Sequence, residues 1–142
     1  MELVLEKHIH SEDEMTEFAQ NFVSSLSDGA VVILNGNLGA GKTFIVKAIA
    51  KLWKIENVTS PTFALVNDYT GTKRVIHFDF YRVGEEQELY DIGFDEYLSD
   101  ENAIKFIEWG ELFPFILPNK RVELKIIIGD GDFRTITVFK YE

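Results

Sequence analysis

The pattern of apolar and polar positions switches repeatedly between strand-like and helix-like periods along the chain. Leu3-Val4-Leu5-Glu6-Lys7-His8 reads as a first strand. Ser11 followed by Glu14 gives an S-x-x-E capping signal for a helix running to about Ser27, closed by Asp28-Gly29. Ala30-Val31-Val32-Ile33-Leu34 is an unbroken apolar run, the pattern of a strand covered on both faces, and Phe44 to Trp53 places apolar residues at helical spacing. Proline in Thr59-Ser60-Pro61-Thr62 biases its predecessor toward extended backbone and predicts a loop. Phe63 to Tyr69 and Arg74 to Phe80 are β-rich runs joined by Thr70-Gly71-Thr72-Lys73, which predicts an antiparallel hairpin. Gly84 to Asp100 interleaves seven carboxylates with Leu89, Tyr90, Ile92, Phe94, Tyr97 and Leu98, the signature of one or two short amphipathic helices. Ala103 to Trp109 is a further apolar strand. Beyond Pro114 and Pro118, Arg121 to Ile128 and Thr135 to Tyr141 form a second hairpin around Gly129-Asp130-Gly131-Asp132.

Between the second strand and the second helix lies Gly36-Asn37-Leu38-Gly39-Ala40-Gly41-Lys42-Thr43, a G-x-x-x-x-G-K-[ST] phosphate loop. Glycines at these positions let backbone N–H groups wrap an anion with no side chain in the way, and the following helix directs its N-terminal N–H groups at the same place. In such a loop Lys42 reaches the β and γ phosphates, and the Thr43 hydroxyl meets Mg²⁺. The expected ligand is a nucleoside triphosphate. Together with the element order this predicts a three-layer α/β fold of the P-loop NTPase type: a mixed sheet of about seven strands, helices on both faces, ligands at the C-terminal strand ends. Residues 1–142 are expected to form a single domain.

Composition narrows the function further. The net charge of −10 speaks against strong direct binding of RNA or DNA, which relies on lysine and arginine contacts to phosphates, and favours a basic protein partner. The same charge implies that an anionic nucleotide is held by local geometry and Mg²⁺ and not by long-range attraction. The absence of cysteine excludes disulfides and thiolate metal sites. No apolar stretch reaches the ~20 residues of a membrane span, and the N-terminal residues lack a secretion pattern, so a cytoplasmic location is expected.

A phosphate loop needs a carboxylate on a neighbouring strand for the metal shell, and an acid or amide near the γ phosphate to place water. Asp79 and Glu108 each end an apolar strand where it would deliver an acid to the site, and either suits the metal shell. His77 shares a strand face with Asp79, so the two are expected to form a polar pair beside the nucleotide. His8 and His10 also share a face, but two histidines without a third ligand do not make a metal site.

The order of the loop, Ser60-Pro61-Thr62-Phe63, His77-Phe78-Asp79-Phe80-Tyr81-Arg82 and Glu108-Trp109-Gly110-Glu111 resembles the bacterial TsaE (YjeE) family of small P-loop ATPases over nearly the whole chain. The resemblance implies a subunit of the machinery that installs threonylcarbamoyl on the adenosine beside the anticodon of ANN-decoding tRNAs. In that family the ATPase docks on a TsaD–TsaB heterodimer, a TsaC-type enzyme makes threonylcarbamoyl-adenylate, and tRNA is met only indirectly. ATP hydrolysis there supports multiple turnovers, and the lone subunit is slow.

Carried onto this chain, the resemblance gives ATP and Mg²⁺ as cofactors and Lys42, Asp79 and Glu108 as catalytic residues. Gly36, Asn37, Leu38, Gly39, Ala40, Gly41, Lys42 and Thr43 would hold the phosphates, with Phe44 in place of a second threonine. Thr43 and Glu108 would hold Mg²⁺ directly or through water, and Asp79 would stand near the γ phosphate. Thr59 to Phe63 would act as a switch loop. Trp109 would pack under the site or meet a partner, and Arg82 would brace the Asp79 turn or touch phosphate. Ser11 and Arg134 would flank adenine, although Ser11 is equally a helix cap and Arg134 an ordinary hairpin charge. Gly110 replaces a proline common in relatives, which alters loop stiffness and no chemical group.

Other nucleotide chemistries fit less well. Asn119-Lys120-Arg121-Val122 begins a guanine-reading N-K-x-D pattern and fails at its last position, and Asp68-Tyr69-Thr70-Gly71 lies in a hairpin, away from a γ-phosphate sensor. A small-molecule kinase would clamp phosphates with lid arginines, yet residues 85–101 contain none. A nucleotide-dependent binding switch without appreciable hydrolysis is the remaining alternative.

Overall fold

The unbroken apolar runs occupy the centre of the sheet. A computed structural model of the chain describes residues 1–59 and 65–142. Its elements are β1 (Glu2–Ile9), α1 (Glu12–Val23), β2 (Val31–Asn35), α2 (Lys42–Leu52), β3 (Val66–Thr70), β4 (Arg74–Asp79), α3 (Glu86–Asp91), α4 (Phe94–Ser99), β5 (Ala103–Glu108), β6 (Arg121–Ile128) and β7 (Arg134–Tyr141). Short 3₁₀ turns at Gly110–Leu112 and Pro114–Ile116 follow β5; neither is signalled by apolar periodicity. The expected Ser60-Pro61-Thr62-Phe63 loop and the start of the strand from Phe63 lie outside the described residues.

Among the described residues the strands form one sheet in the order β1-β7-β6-β2-β5-β4-β3. β6, β2, β5 and β4 run parallel, and antiparallel neighbours β7, β1 and β3 extend the sheet on either side. This is the mixed, helix-covered α/β sheet expected from the element order. Alternation along the strands divides the core. Val32, Leu34, Val75, Ile104 and Phe106 pack with α1 and α2, whereas Val31, Ile33, Ile76, Phe78 and Ile107 pack with Leu89 of α3 and Phe94 of α4. Phe78 meets Phe80, Phe94 and Tyr97 edge-on, at centroid distances of 6.3, 5.1 and 5.7 Å. That aromatic cluster fixes which way β4 faces, so its neighbours His77 and Asp79 turn to the α2 side.

α1 is capped as expected, the Glu14 N–H donating to Ser11 Oγ at 3.1 Å. The helix ends at Val23 instead of about Ser27. Ser24 and Ser25 donate their hydroxyls to the Asn21 and Phe22 carbonyls, each at 2.7 Å, which satisfies terminal acceptors without further helical turns. The acidic segment Gly84 to Asp100 resolves into two short helices separated by Gly93 in the left-handed conformation.

Candidate functional site

Parallel register brings the C-terminal ends of three strands level: Glu108 of β5 lies opposite Leu34 of β2 on one side and Asp79 of β4 on the other. β2 then runs into the glycine-rich loop. Gly39 and Gly41 have φ of 81° and 112°, a region side chains rarely tolerate, and a Cβ on Gly41 would lie 3.3 Å from Met15 Cε. The turn they allow delivers Lys42 and Thr43 into the first turn of α2, two residues earlier than the apolar periodicity alone predicts.

The loop opens on a cleft of about 450 Å³, lined by residues from Leu38 to Phe44 and by Ser11, Asp79, Tyr81, Glu108, Trp109, Asp132 and Arg134. Of the expected site residues, Gly36 and Asn37 sit at the loop's entry and do not line the cleft. Gly36 acts through its carbonyl, which accepts from Lys42 Nζ at 2.7 Å. Lys42 is only 5% exposed. Its ammonium sits 3.7 Å from the centroid of the Trp109 ring, and burial pushes its pKa below the ordinary lysine value against the opposing pull of Glu108, Glu111 and Asp79. Trp109 reaches this place because it leaves β5 in a left-handed conformation with φ of 61°, an uncommon state for an aromatic residue, and its ring also meets Tyr81 at 5.1 Å.

The two acids differ in their surroundings. Asp79 accepts the Tyr81 N–H at 2.9 Å, yet burial and then nearby Glu108 raise its pKa above the usual carboxylate value. Glu108 is 4% exposed and uses one oxygen, Oε2, to accept from Thr43 Oγ1 at 3.0 Å and to meet His77 Nε2 at 2.5 Å. The histidine expected to pair with Asp79 along its own strand therefore bonds across to the neighbouring strand.

Arg134 lines the cleft from β7, but its hydrogen bonds go to the loop. Nε and an Nη donate to the carbonyls of Ala40 and Gly39 at 3.2 and 3.3 Å, and the other Nη to Gly131 and Phe133. These bonds tie the last hairpin to the glycine-rich loop. Ser11 both caps α1 and lines the cleft. Arg82 is exposed and outside the cleft lining. Thr59 accepts from Asn67 and Tyr69 through its carbonyl; the rest of the expected switch loop lies outside the described residues. Asp132 and Tyr81, not expected from sequence, also line the cleft. His8 stacks on Phe133 at 5.7 Å, with His10 edge-on at 5.2 Å, so both histidines pack around the last hairpin.

A strand, a glycine-rich loop and a helix, with acids at the ends of the next two strands on one side, place the chain in the phosphate-loop class of three-layer α/β folds. The family model described as "Threonylcarbamoyl adenosine biosynthesis protein TsaE" matches residues 9–136, and the chain belongs to that family. It is 36% identical over 133 residues to the tRNA threonylcarbamoyladenosine biosynthesis protein TsaE of Rickettsia bellii, covering 92% of this chain and 91% of that protein. It is 40% identical over 115 residues to the protein of the same name from Aquifex aeolicus, covering 78% and 80%. The crystal structure of Bacillus subtilis YdiB superposes on all of this chain and 89% of that one with a TM-score of 0.80 at 26% identity. No helix among the described residues is long and apolar enough to cross a membrane.

Proposed function

We propose that the chain is a Mg²⁺-dependent ATP hydrolase serving threonylcarbamoylation of the adenosine next to the anticodon of tRNA, and that it acts on a TsaB–TsaD complex in the cytoplasm. Family membership supports the tRNA-modification role. The observation that carries the hydrolase reading is the convergence of Lys42, Thr43, Asp79 and Glu108 on one cleft at the mouth of the glycine-rich loop.

Each side chain has a role that its surroundings suit. Lys42 is desolvated and its ammonium rests on a carbonyl and an aromatic face, so a triphosphate offers it a stronger partner. Loop N–H groups donate to the phosphate oxygens. Thr43 Oγ1 and Glu108 Oε2, both oxygen donors and 3.0 Å apart, fit a hard divalent cation. No cluster of three or more acidic, histidine or cysteine side chains forms a complete cage among the described residues, so phosphates and water would complete the shell. Mg²⁺ held there would supply charge neutralisation for the phosphate tail. Asp79, whose raised pKa favours proton uptake, orients the attacking water and accepts its proton. The water oxygen bonds to the γ phosphorus, the bond to the β-bridging oxygen breaks, and ADP and phosphate result.

Single-turnover phosphate release from ATP, measured with and without TsaB–TsaD, tests the proposal. The expected result is slow Mg²⁺-dependent hydrolysis that the partner pair accelerates. Tight ATP binding with no hydrolysis in either condition would replace the hydrolase by a binding switch.

A further inference from the structure

His77 has no assigned task, yet it is fully buried on β4 beside the two acids. Its Nε2 lies 2.5 Å from Glu108 Oε2, while its Nδ1 is buried with no hydrogen-bond partner among the described residues. A carboxylate accepts and does not donate, so Nε2 carries the proton. The strand that carries the ring is pinned. The flanking Ile76 and Phe78 are fully buried in the opposite face, and β4 pairs in register with β5 from Arg74↔Ala103 to Asp79↔Glu108.

From this geometry we propose that His77 is a positioning residue: it fixes the Glu108 carboxylate so that Oε2 stays against the Thr43 hydroxyl and the pair forms a prepared half-shell for the divalent cation. The inference rests on the functional reading above and deepens it. A glutamate has three side-chain torsions, and without the His77 bond the Thr43 hydroxyl is the one side-chain donor among the described residues that would still hold this almost fully buried carboxylate. Loss of the histidine therefore acts on cation affinity, and not on the nucleotide contacts made by the loop. Partners of this kind in metal sites change metal affinity by about 10- to 100-fold when removed.

The test uses a fluorescent ATP analogue titrated with and without MgCl₂, alongside thermal melting, for the unaltered chain, His77→Leu and His77→Gln. Glutamine presents a donor near the place of Nε2, whereas leucine fills the space without one. His77→Leu is expected to need about 10- to 100-fold more Mg²⁺ for half-maximal enhancement of binding. Its Mg²⁺-free affinity should stay within about twofold, and His77→Gln should recover Mg²⁺ dependence to within about threefold of the unaltered chain. A folded His77→Leu protein with unaltered Mg²⁺ dependence overturns the proposal, as does a folded His77→Gln protein no better than leucine. If His77→Leu does not fold, the glutamine variant decides by the same threefold criterion. Failure of the unaltered chain to bind the analogue, or indifference of that binding to Mg²⁺, overturns the functional reading itself and is seen before any variant is compared.

Discussion

At the N-terminal ends of β4 and β5, Arg74 donates to both Asp68 and Asp100, with Nη2 2.5 Å from Asp68, and the Asp100 carbonyl takes the Lys105 ammonium at 2.6 Å. At the C-terminal ends of the same strands, Lys42 rests on a carbonyl and an indole, and Asp79 has one backbone donor. The two ends move charge in opposite directions. Hydrogen bonds and ion pairing hold Arg74 above its ordinary pKa and Asp100 below, so both charged forms are favoured. Burial instead pushes Lys42 down and Asp79 up, so both charged forms are disfavoured. Lys105 shares the burial penalty but has a close acceptor. One end of the sheet is electrostatically complete; the other holds charges whose best partners are a polyanion and a cation. Such tension is typical of sites that bind or react.

Substitutions at the two ends should separate function from stability. Lys42→Ala should reduce ATP turnover by at least about 10²- to 10³-fold, the scale of losing a charge-stabilising donor, while the far-ultraviolet circular dichroism spectrum is kept. Glu108→Ala should weaken Mg²⁺-dependent nucleotide binding by about 10- to 100-fold and Mg²⁺-free binding much less; equal losses would remove it from the metal shell. Arg74→Met, at the complete end, should lower the melting temperature by about 2–4 °C. Turnover should change little, and a large activity loss there would blur the distinction between the ends.

The smallest effect has the opposite sign. Because the folded state binds the Asp79 proton more tightly than the unfolded chain does, its ionisation subtracts stability as pH rises from the ordinary value of 3.8 through the raised one, and the cost remains above that. Asp79→Asn should therefore raise the melting temperature by about 2 °C near pH 8, with the gain shrinking toward about pH 3, even as turnover falls. A lowered melting temperature near neutrality would show that Asp79 is not strained in the folded state. Lys42 runs the other way: its protonated form costs stability below its lowered pKa, and that cost is relieved as pH rises toward 10.5.

Much of this was legible in the residues. Unbroken apolar runs marked the central parallel strands, Ser11 and Glu14 marked a helix start, and the glycine pattern marked the loop, because each signal is local. The pairing of His77 was not local. Two residues along a strand are about 6.7 Å apart, whereas adjacent strands are about 4.8 Å apart, so a same-face neighbour loses to a cross-strand one once the register is known. The target of Arg134 depended on the last hairpin meeting a loop 94 residues earlier. The placement of Trp109 over Lys42 depended on a left-handed turn that no glycine announced. The Asp68-to-Gly71 string lies in a hairpin as its residues predict, and there Asp68 pairs with Arg74.

Trp109 offers the most direct measurement of the central claim, that the Lys42 ammonium exchanges its indole and carbonyl contacts for a triphosphate. With Trp53→Phe as background, titration of ATP and Mg²⁺ should produce a saturable change in Trp109 emission that disappears in Lys42→Ala. An emission unchanged by ATP, or an identical saturable change without the lysine, would contradict it.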